Sequence, residues 1–435
     1  MTAPRRVVIT GVGAVSCYGA GTDSLWSGIA AGKSGASLVD IPGAEGLPVR
    51  FAASVPFATS MLETMLPSPR AGKTMSRAAM FAMIAAVEAA RTAKLDPGAY
   101  DSARVGTSLG MGGLGLMDRE HMDTTFDIFA RTRDETAGAI DRARLYRTTM
   151  ERIHPLTPLK ALPNIAAANL AIQFGAHGPC QTHATACTSG TQAIGDAARL
   201  IRWNVCDTMI AGGADSMVNP NGIIAFAGLG VLSRNNAEFA TAARPFDHRR
   251  DGFMLGEGAG MFILEDLETC RARGGVPIAE LAGYGCTSDA HRLTDEPEDA
   301  HGSIAAMRAA IHDAGISFDA VNYVHAHGTG TMMNDRIETL AIRQTFGHHA
   351  QRIPVSSTKS MTGHLIAAAG ALQLAISVLA LRNGVVPPTI NYSQPDPDCD
   401  LDCVPNTARR AAIDTVMSNC FGFGGQNACL IVRSM

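Results

Sequence analysis

The chain has 435 residues, of which 46% are hydrophobic and 17% are charged. This balance describes a compact globular protein and excludes an intrinsically disordered chain. The formal net charge of −4 and the absence of a long basic run argue against a nucleic-acid partner.

The length allows two or three domains, but no linker-like stretch divides the chain. The ten cysteines are scattered without paired metal-ligand spacing, so neither a zinc site nor a disulfide framework is predicted. The N-terminus leads directly into a strand-like run at residues 6–13, without the apolar core of a signal peptide. With no apolar stretch judged long enough to span a bilayer, the expected location is the cytoplasm, without membrane insertion.

The segment of residues 123–152 is rich in charge and poor in glycine, which predicts one or two exposed amphipathic helices. Two interpretations stay open: a cap or partner-recognition surface, and a solvated decoration. Its charged residues include Arg131, Arg133, Asp134, Glu135, Asp141, Arg142, Arg144, Arg147, Glu151 and Arg152.

Cys187 lies among small and hydroxylated residues, directly before a helical pattern that runs from about Ser189 to Arg202. This places the thiol at a helix N-terminus, where free backbone N–H groups and the helix dipole favour a thiolate. A nucleophilic cysteine is one interpretation. The other is an inert buried thiol, since cysteine is among the residue types most often buried.

Two histidine motifs also follow strand-like runs. His327 comes after a predicted strand at residues 323–325, and His364 follows the strand and polar loop of residues 355–363. Catalytic groups gather at strand ends in α/β folds. Each histidine taken singly fits a structural role, whereas the three motifs together indicate a catalytic site.

With these motifs the chain resembles the β-ketoacyl-[acyl-carrier-protein] synthases, the type II elongating condensing enzymes of the thiolase-like superfamily. The resemblance covers nearly the whole chain. Besides the cysteine and histidine motifs, it rests on the strings at residues 6–13, 211–215, 244–247, 250–253, 256–260, 386–391 and 421–425.

The resemblance implies a thiolase-like α/β fold, a five-layered αβαβα sandwich of two similar halves forming one compact unit. We place the N-terminal half with its cap insertions at residues 1–270 and the C-terminal half at residues 271–435. A faint internal echo agrees, since residues 185–195 and 357–370 are both small-residue turns from strand to helix.

The implied reaction is a decarboxylative Claisen condensation of an acyl chain held on Cys187 with malonyl-acyl carrier protein. His327 and His364 would donate hydrogen bonds to the enolate formed by decarboxylation. The backbone N–H groups of Cys187 and Phe423 would form a second oxyanion hole, and Phe423 would gate the acyl pocket.

The resemblance also implies supporting roles. Lys359 would act electrostatically and by position, together with Asp335 and Glu338, rather than as the base for the thiol. Residues implied to contact the substrate are Thr329, Thr331, Met111 and Phe421. For both threonines, a turn that satisfies its own backbone is the alternative.

Four positions depart from the family pattern. His325 replaces the usual asparagine, Gln373 a glutamate, Ala367 a glycine and Gln426 a threonine. In relatives the first two positions help to form a buried cation site with Glu338. We therefore predict no metal here, and a hydrogen bond from His325 to Glu338 or Gln373.

No resident cofactor is predicted, because phosphopantetheine would arrive on an acidic acyl carrier protein. Candidate basic contacts for that carrier are Arg70, Lys73, Arg77, Arg249 and Arg250. A homodimer is the family default. The alternative function is that of a catalytic or non-catalytic subunit in a heterodimer with a chain-length-factor-like paralogue of a specialised pathway. Retention of the cysteine and both histidines disfavours the non-catalytic subunit.

Overall fold

The computed structural model describes residues 5–68, 70–96, 98, 100–112, 119–133 and 140–435. Its strands are β1 (Val7–Ser16), β2 (Gly19–Ala20), β3 (Ser37–Leu38), β4 (Phe51–Ala52), β5 (Val105–Met111), β6 (Cys180–His183), β7 (Thr208–Ser216), β8 (Glu257–Asp266), β9 (Ala279–Ser288), β10 (Tyr323–His325), β11 (Val355–Ser356), β12 (Val385–Val386), β13 (Arg409–Arg410), β14 (Thr415–Gly422) and β15 (Gln426–Arg433).

The helices alternate with these strands. They are α1 (Thr22–Ala30), α2 (Thr59–Met65), α3 (Arg77–Ala93), α4 (Arg119–Thr132), α5 (Arg142–Arg152), α6 (Thr157–Ala161), α7 (Pro163–Phe174), α8 (Ser189–Arg202), α9 (Pro220–Gly228), α10 (Leu267–Ala272), α11 (His301–Ala314), α12 (Met332–Phe346), α13 (Lys359–Thr362) and α14 (Ala369–Asn383).

The main sheet has eleven strands: two five-strand units with the same topology, and β2, which pairs with β1. One unit has the order β6-β5-β7-β8-β1 and the other has β11-β10-β14-β15-β9. In both units the first two neighbour pairs are parallel and the next two are antiparallel. A short antiparallel pairing of β1 with β9 joins them. The predicted boundary between residues 270 and 271 falls within α10.

Three apolar cores produce the layered sandwich. The central core joins α8 and α14 to both sheet units, through residues such as Ile194, Leu372, Phe262 and Leu430. The outer face of the first unit packs on α3 and α7, and that of the second unit packs on α11 and α12. The five-layered sandwich of two similar halves is thereby confirmed.

The predicted nucleophile helix is also confirmed, since α8 spans Ser189–Arg202. Two turns that lead into the central helices match each other closely. A 3-10 turn at Ala186–Thr188 precedes α8, and a second one at Ile366–Ala368 precedes α14. The first residue of each has a left-handed φ, +49° at Ala186 and +46° at Ile366. Such backbone costs energy in a residue with a side chain and is retained where the surroundings enforce it.

The segment of residues 123–152 forms α5 and most of α4, as predicted, while Asp134 and Glu135 lie outside the described residues. Helix α5, all of which is described, has no fully buried side chain. Both helices also expose large apolar side chains to solvent: Phe126, Phe129, Tyr146 and Met150.

One helical stretch among the described residues, Ile366–Asn383, meets the length and composition of a membrane span, with a mean hydropathy of 1.5. The sequence-based statement that no stretch is long enough is therefore wrong for this helix. Because 83% of the stretch is buried inside the protein, it has the position of a core helix. It is the central helix α14 with the turn before it.

Candidate active site

The cysteine is held on the 3-10 turn at the start of α8. The hydrogen bonds of this turn run from the N–H groups of Thr188 and Ser189 to the carbonyls of Thr185 and Ala186. The N–H of Cys187 lies outside these two bonds. The Cys187 side chain is buried, and its Sγ lies 3.1 Å from His364 Nε2.

The thiol of Cys187 is harder to ionise than its helix position suggests. Burial is the largest influence and raises its pKa, as does the neighbouring Cys420 thiol, whereas Lys359 and the backbone N–H of Phe423 lower it. The expectation of a thiolate favoured by the helix N-terminus alone thus meets an opposing desolvation cost. Lys359, the Phe423 N–H and the Nε2–H of His364 are the groups beside the sulfur that stabilise its ionised form.

His364 is fixed in one tautomer by its own turn. Its Nδ1 accepts a hydrogen bond from the Ile366 N–H at 3.2 Å, so in the neutral ring the proton lies on Nε2 and points towards Cys187. Burial, followed by the charge of Lys359, holds the pKa of His364 well below its usual value. The ring of Phe253 packs edge-on at 5.0 Å. His364 is therefore a neutral hydrogen-bond donor.

His327 lies across from His364, with 5.3 Å between the ring centroids. Burial and then Lys359 lower its pKa well below the usual value, so it too is neutral. Its backbone N–H and that of Gly328 donate to the two carboxylate oxygens of Glu338, at 2.8 and 2.7 Å. Glu338 thereby fixes the loop that carries the ring.

Asp335 holds the other end of the same loop. It accepts hydrogen bonds from the N–H groups of Gly330 at 3.0 Å and Phe246 at 2.7 Å, and lies 3.7 Å from Arg250. Asp335 and Glu338 are three residues apart on α12 and face one side of the helix. The predicted acidic pair thus positions the backbone around His327.

Lys359 is buried and has two hydrogen-bond partners. Its Nζ donates to the backbone carbonyl of His327 and to Oε1 of Gln373, the latter at 3.0 Å. Burial lowers the pKa of the ammonium, which the neighbouring Cys420, Glu338 and Cys187 raise. The departure at Gln373 therefore provides a partner for Lys359 rather than removing one.

The predicted partner of His325 is wrong. Its ring nitrogens lie 2.9 Å from the hydroxyls of Ser377 and Thr358, not against Glu338 or Gln373. Gln373 instead donates from Nε2 to the backbone carbonyl of His325 at 2.7 Å. Both groups of His325 meet α14, one helical turn apart: the carbonyl faces Gln373 and the imidazole faces Ser377.

The three predicted catalytic side chains meet at one point. Ligand atoms of Cys187, His327 and His364 lie within 4.8 Å of one another, and among the described residues they are the group close enough to share a metal ion. They border a cavity of about 180 Å³. Among the described residues, Glu338 and Gln373 do not belong to a group of side chains close enough to bind a metal ion. That no metal is bound there stays a prediction.

The predicted substrate contacts divide into two groups. Thr329, Thr331, Phe421 and Phe423 line the cavity, whereas Met111 borders a separate space of about 10 Å³. The two threonine hydroxyls lie 2.9 Å apart, and that of Thr331 also caps α12. The alternative of a self-satisfied turn therefore describes part of their role. A pocket role for Met111 stays a prediction.

Three residues of the site were missed by sequence reasoning. Glu296, in the loop after β9, lines the cavity, and Phe253 packs on His364. Asp215, at the end of β7, accepts the N–H of Ala367 at 3.0 Å. The signals for Asp215 and Phe253 are their places in the quoted strings of residues 211–215 and 250–253, whereas Glu296 lies in none of the quoted strings.

The candidate basic patch is smaller than predicted. Arg77 is bonded to Glu257 at 2.7 Å, and Arg250 is buried against Asp396, so neither offers a free charge at the surface. The three that stay exposed are Arg70, Lys73 and Arg249.

Comparison with known proteins gives a consistent result. Residues 4–270 match the family model for the N-terminal domain of beta-ketoacyl synthase, and residues 278–393 match that for its C-terminal domain. The chain is 41% identical over 428 residues to 3-oxoacyl-[acyl-carrier-protein] synthase 2 of Coxiella burnetii, covering 98% of each chain. It is 38% identical to the ketoacyl synthase alpha subunit of the tetracenomycin polyketide synthase of Streptomyces glaucescens, covering 99% of this chain and 98% of that one.

Solved structures give the same likeness. One is a type II polyketide ketosynthase in complex with its acyl-carrier protein and bound to a hexaketide, with a TM-score of 0.87, 33% identity and full coverage of both chains. Another is the ishigamide ketosynthase/chain length factor, with a TM-score of 0.85, 32% identity and full coverage of both chains.

Proposed function

This chain belongs to the beta-ketoacyl synthase family, and on that premise we propose that Cys187 carries the acyl chain while His327 and His364 promote decarboxylation of the malonyl unit. The reaction is a decarboxylative Claisen condensation, and the enzyme is an acyltransferase. The observation that supports these residue roles is the meeting of one thiol and two neutral imidazoles at a buried cavity.

In the first step the sulfur of Cys187 attacks the thioester carbonyl of an acyl chain on its carrier. The new carbon–sulfur bond replaces the bond to the carrier, whose sulfur leaves with the thiol proton of Cys187. The Nε2–H of His364 stabilises the developing thiolate, from which it lies 3.1 Å away. The backbone N–H groups of Cys187 and Phe423 receive the carbonyl oxygen as it becomes negative.

In the second step the malonyl thioester loses CO₂ and becomes an enolate. Its oxygen accepts hydrogen bonds from His327 and His364, each of which stabilises the transition state by about 3 kcal/mol. The enolate carbon then attacks the acyl-Cys187 carbonyl and releases the thiolate, which takes a proton from solvent. Burial, followed by the positive charge of Lys359, keeps both rings neutral, so that they act as donors rather than as imidazolium ions.

We propose that no resident cofactor takes part, because the phosphopantetheine arm is brought by the carrier protein. Thr329 and Thr331 border the cavity on the side that this arm would occupy, and Phe423 lines it beside the nucleophile. The exposed Arg70 and Lys73 are the charges left for an acidic carrier, since the exposed Arg249 is paired with Asp247 at 3.4 Å. One related ketosynthase was solved in complex with its acyl-carrier protein, which supports this choice of partner.

We propose a homodimer in the cytoplasm. The edge strand β6 leaves one row of backbone groups unpaired, and α4 and α5 expose apolar side chains, both of which favour a partner subunit. The alternative is a heterodimer in which this chain is the catalytic half, as in the solved ketosynthase with a chain length factor. The pathway is fatty-acid or type II polyketide synthesis, since relatives of both kinds match the full chain.

The test is acylation of the purified protein by a series of acyl-carrier proteins, followed by intact mass, with Cys187→Ala as the control. Adducts that disappear in Cys187→Ala support the proposal, and their chain lengths distinguish elongation of fatty acids from a specialised pathway. If no acyl chain is transferred, even after co-expression with a paralogue, the proposed role of Cys187 is wrong.

A further inference from the structure

The loop between β9 and α11 forms one wall of the cavity that Cys187 borders. Its members Leu293, Thr294 and Glu296 line this cavity together with the nucleophile. The loop is fixed to the turn at residues 423–425, which joins β14 to β15, because the carbonyl of Leu293 accepts the Gly424 N–H at 2.7 Å. A side chain in this loop is therefore held in place against any substrate in the cavity.

The carboxyl group of Glu296 has an unusual environment on this wall. The residue is half-buried, but its Oε2 is shielded from solvent and has no hydrogen-bond partner among the described residues. Burial, together with the carboxylates of Glu338, Asp289 and Asp335, raises the pKa of Glu296 to about 8. At neutral pH this group is therefore mainly a carboxylic acid, with a proton to donate and no acceptor.

The surroundings of Glu296 determine which kind of acceptor it can meet. A malonyl carboxylate is disfavoured, because the acidic groups near Glu296 would repel it. The cavity also has apolar lining residues that suit an acyl chain, among them Phe226, Val231, Phe253 and Ile366. Glu296 lies close enough to Asp335 for their charges to interact, and Asp335 accepts the N–H of Gly330 between Thr329 and Thr331. Both threonines also line the cavity, so a neutral polar ligand fits this part of it.

We propose that Glu296 is a further substrate-positioning residue, whose protonated carboxyl donates a hydrogen bond to an amide carbonyl of the pantetheine arm. This inference rests on the proposed function, since it requires a carrier-borne thioester in the cavity. A neutral amide carbonyl is a strong acceptor and carries no charge to be repelled. The bond would satisfy the buried oxygen that has no partner within the protein.

The test compares two substrates with the same acyl group, an acyl-pantetheine thioester and a methyl thioester that lacks the arm. In Glu296→Ala, the KM of Cys187 acylation by acyl-pantetheine should rise about tenfold, with kcat nearly unchanged and no effect on the methyl thioester. Glu296→Gln should retain the wild-type KM at pH 7, because a primary amide also donates. Glu298→Gln, at an exposed position of the same loop, is the matched control.

A second measurement distinguishes donation from packing. As the pH rises through about 8, wild-type Glu296 loses its proton and the KM for acyl-pantetheine should rise, whereas that of Glu296→Gln should not. The other titratable groups near the cavity or Glu296 are common to both proteins, so their effects cancel in the ratio of the two KM values. These groups are Cys187, His327, His364, Asp289, Asp295, Asp335 and Glu338, with the cations Arg250 and Lys359 near the last two carboxylates.

Several results would overturn the proposal. Equal losses with both substrates would mean that Glu296 supports the fold of the loop, and an unchanged KM in Glu296→Ala would mean that it does not meet the arm. If Glu296→Ala does not fold, the pH series still tests the proposal. A ratio of the wild-type KM to the Glu296→Gln KM for acyl-pantetheine that stays constant with pH would reject it. Failure of the wild-type protein to be acylated by either thioester and by the acyl-carrier proteins would instead reject the proposed function, and this inference with it.

Discussion

The turn at Ala186 and the turn at Ile366 share a backbone but differ in chemistry. Each is a 3-10 turn that begins with a left-handed residue and continues into a central helix. The second position is Cys187 in the first turn and Ala367 in the other. A repeated scaffold thus places one nucleophile, not two, at the centre of the molecule.

The two turns also use their backbone N–H groups differently. The N–H of Ala367 donates to the buried carboxylate of Asp215, whereas the N–H of Cys187 lies outside the bonds of its own turn. The first turn therefore keeps a donor for an incoming oxyanion. In the second turn an internal carboxylate already occupies the equivalent position.

The second turn, at Ile366–Ala368, instead orients His364, which lies two residues before the left-handed Ile366. The N–H of Ile366 donates to Nδ1 of His364 and fixes the ring, whereas the equivalent position before Cys187 is Ala184. One copy of the turn supplies the nucleophile and the other orients a hydrogen-bond donor. The comparison shows that the two turns share one backbone geometry and that their side chains give them different roles.

The largest effect expected from this comparison is on the histidines. His364→Ala and His327→Ala should each slow decarboxylation of malonyl-carrier by about 10²–10³-fold, because a donor to the enolate is lost. Release of labelled CO₂ from malonyl-carrier measures this directly. Normal release by His364→Ala would mean that the second turn does not serve the chemistry.

A smaller effect concerns Asp215, the carboxylate that accepts a backbone N–H of the second turn. Burial raises the pKa of Asp215 to about 6, above its ordinary value of 3.8, so the native state holds the proton more tightly than the unfolded state. The free energy of unfolding should therefore fall as the pH rises from about 4 to about 6, by up to about 3 kcal/mol from this group. In Asp215→Asn the fall should be smaller by that amount, as urea unfolding across this pH range will measure.

Glu338 and Glu296 also have raised pKa values, to about 7 and about 8, and contribute to the same decline in both proteins. The difference between wild type and Asp215→Asn therefore isolates Asp215. If the free energy of unfolding fell equally with pH in the two proteins, Asp215 would not be a buried, ionisable partner of the second turn.

The smallest effect tests whether the turn alone makes a nucleophile. In the double variant Cys187→Ala, Ala367→Cys, the thiol moves to the equivalent position of the second turn. We expect no acyl adduct by intact mass, because Asp215 holds the N–H there and its charge opposes a thiolate. The added sulfur at a fully buried site should cost about 1–3 kcal/mol of stability. An adduct at residue 367 would show that backbone geometry is sufficient.

Much of this arrangement follows from sequence pattern. The small-residue turn at Cys187, the strand before His327 and the polar loop before His364 each appear locally, so their elements could be predicted. The faint similarity of residues 185–195 and 357–370 pointed to the repeated turn, although the matching left-handed φ of Ala186 and Ile366 has no signal in a pair of apolar residues.

What could not be predicted depends on contacts between distant segments. The partners of His325, Ser377 and Thr358, come from α14 and the loop before α13, and the register between them is set by packing of the whole half. The thiol of Cys187 was expected to ionise readily from its helix position. The depth of its burial, which opposes this, is a property of the assembled layers.

The edge strand β6 has a practical consequence for labelling chemistry. Cys180 is exposed at its start, and Cys286 is exposed on β9, whereas the nucleophile is buried. In a dimer joined along β6, alkylation of Cys180 by iodoacetamide would slow while that of Cys286 would not. The ratio of the two labelling rates, resolved by peptide mass, would thus report subunit pairing at concentrations too low for scattering.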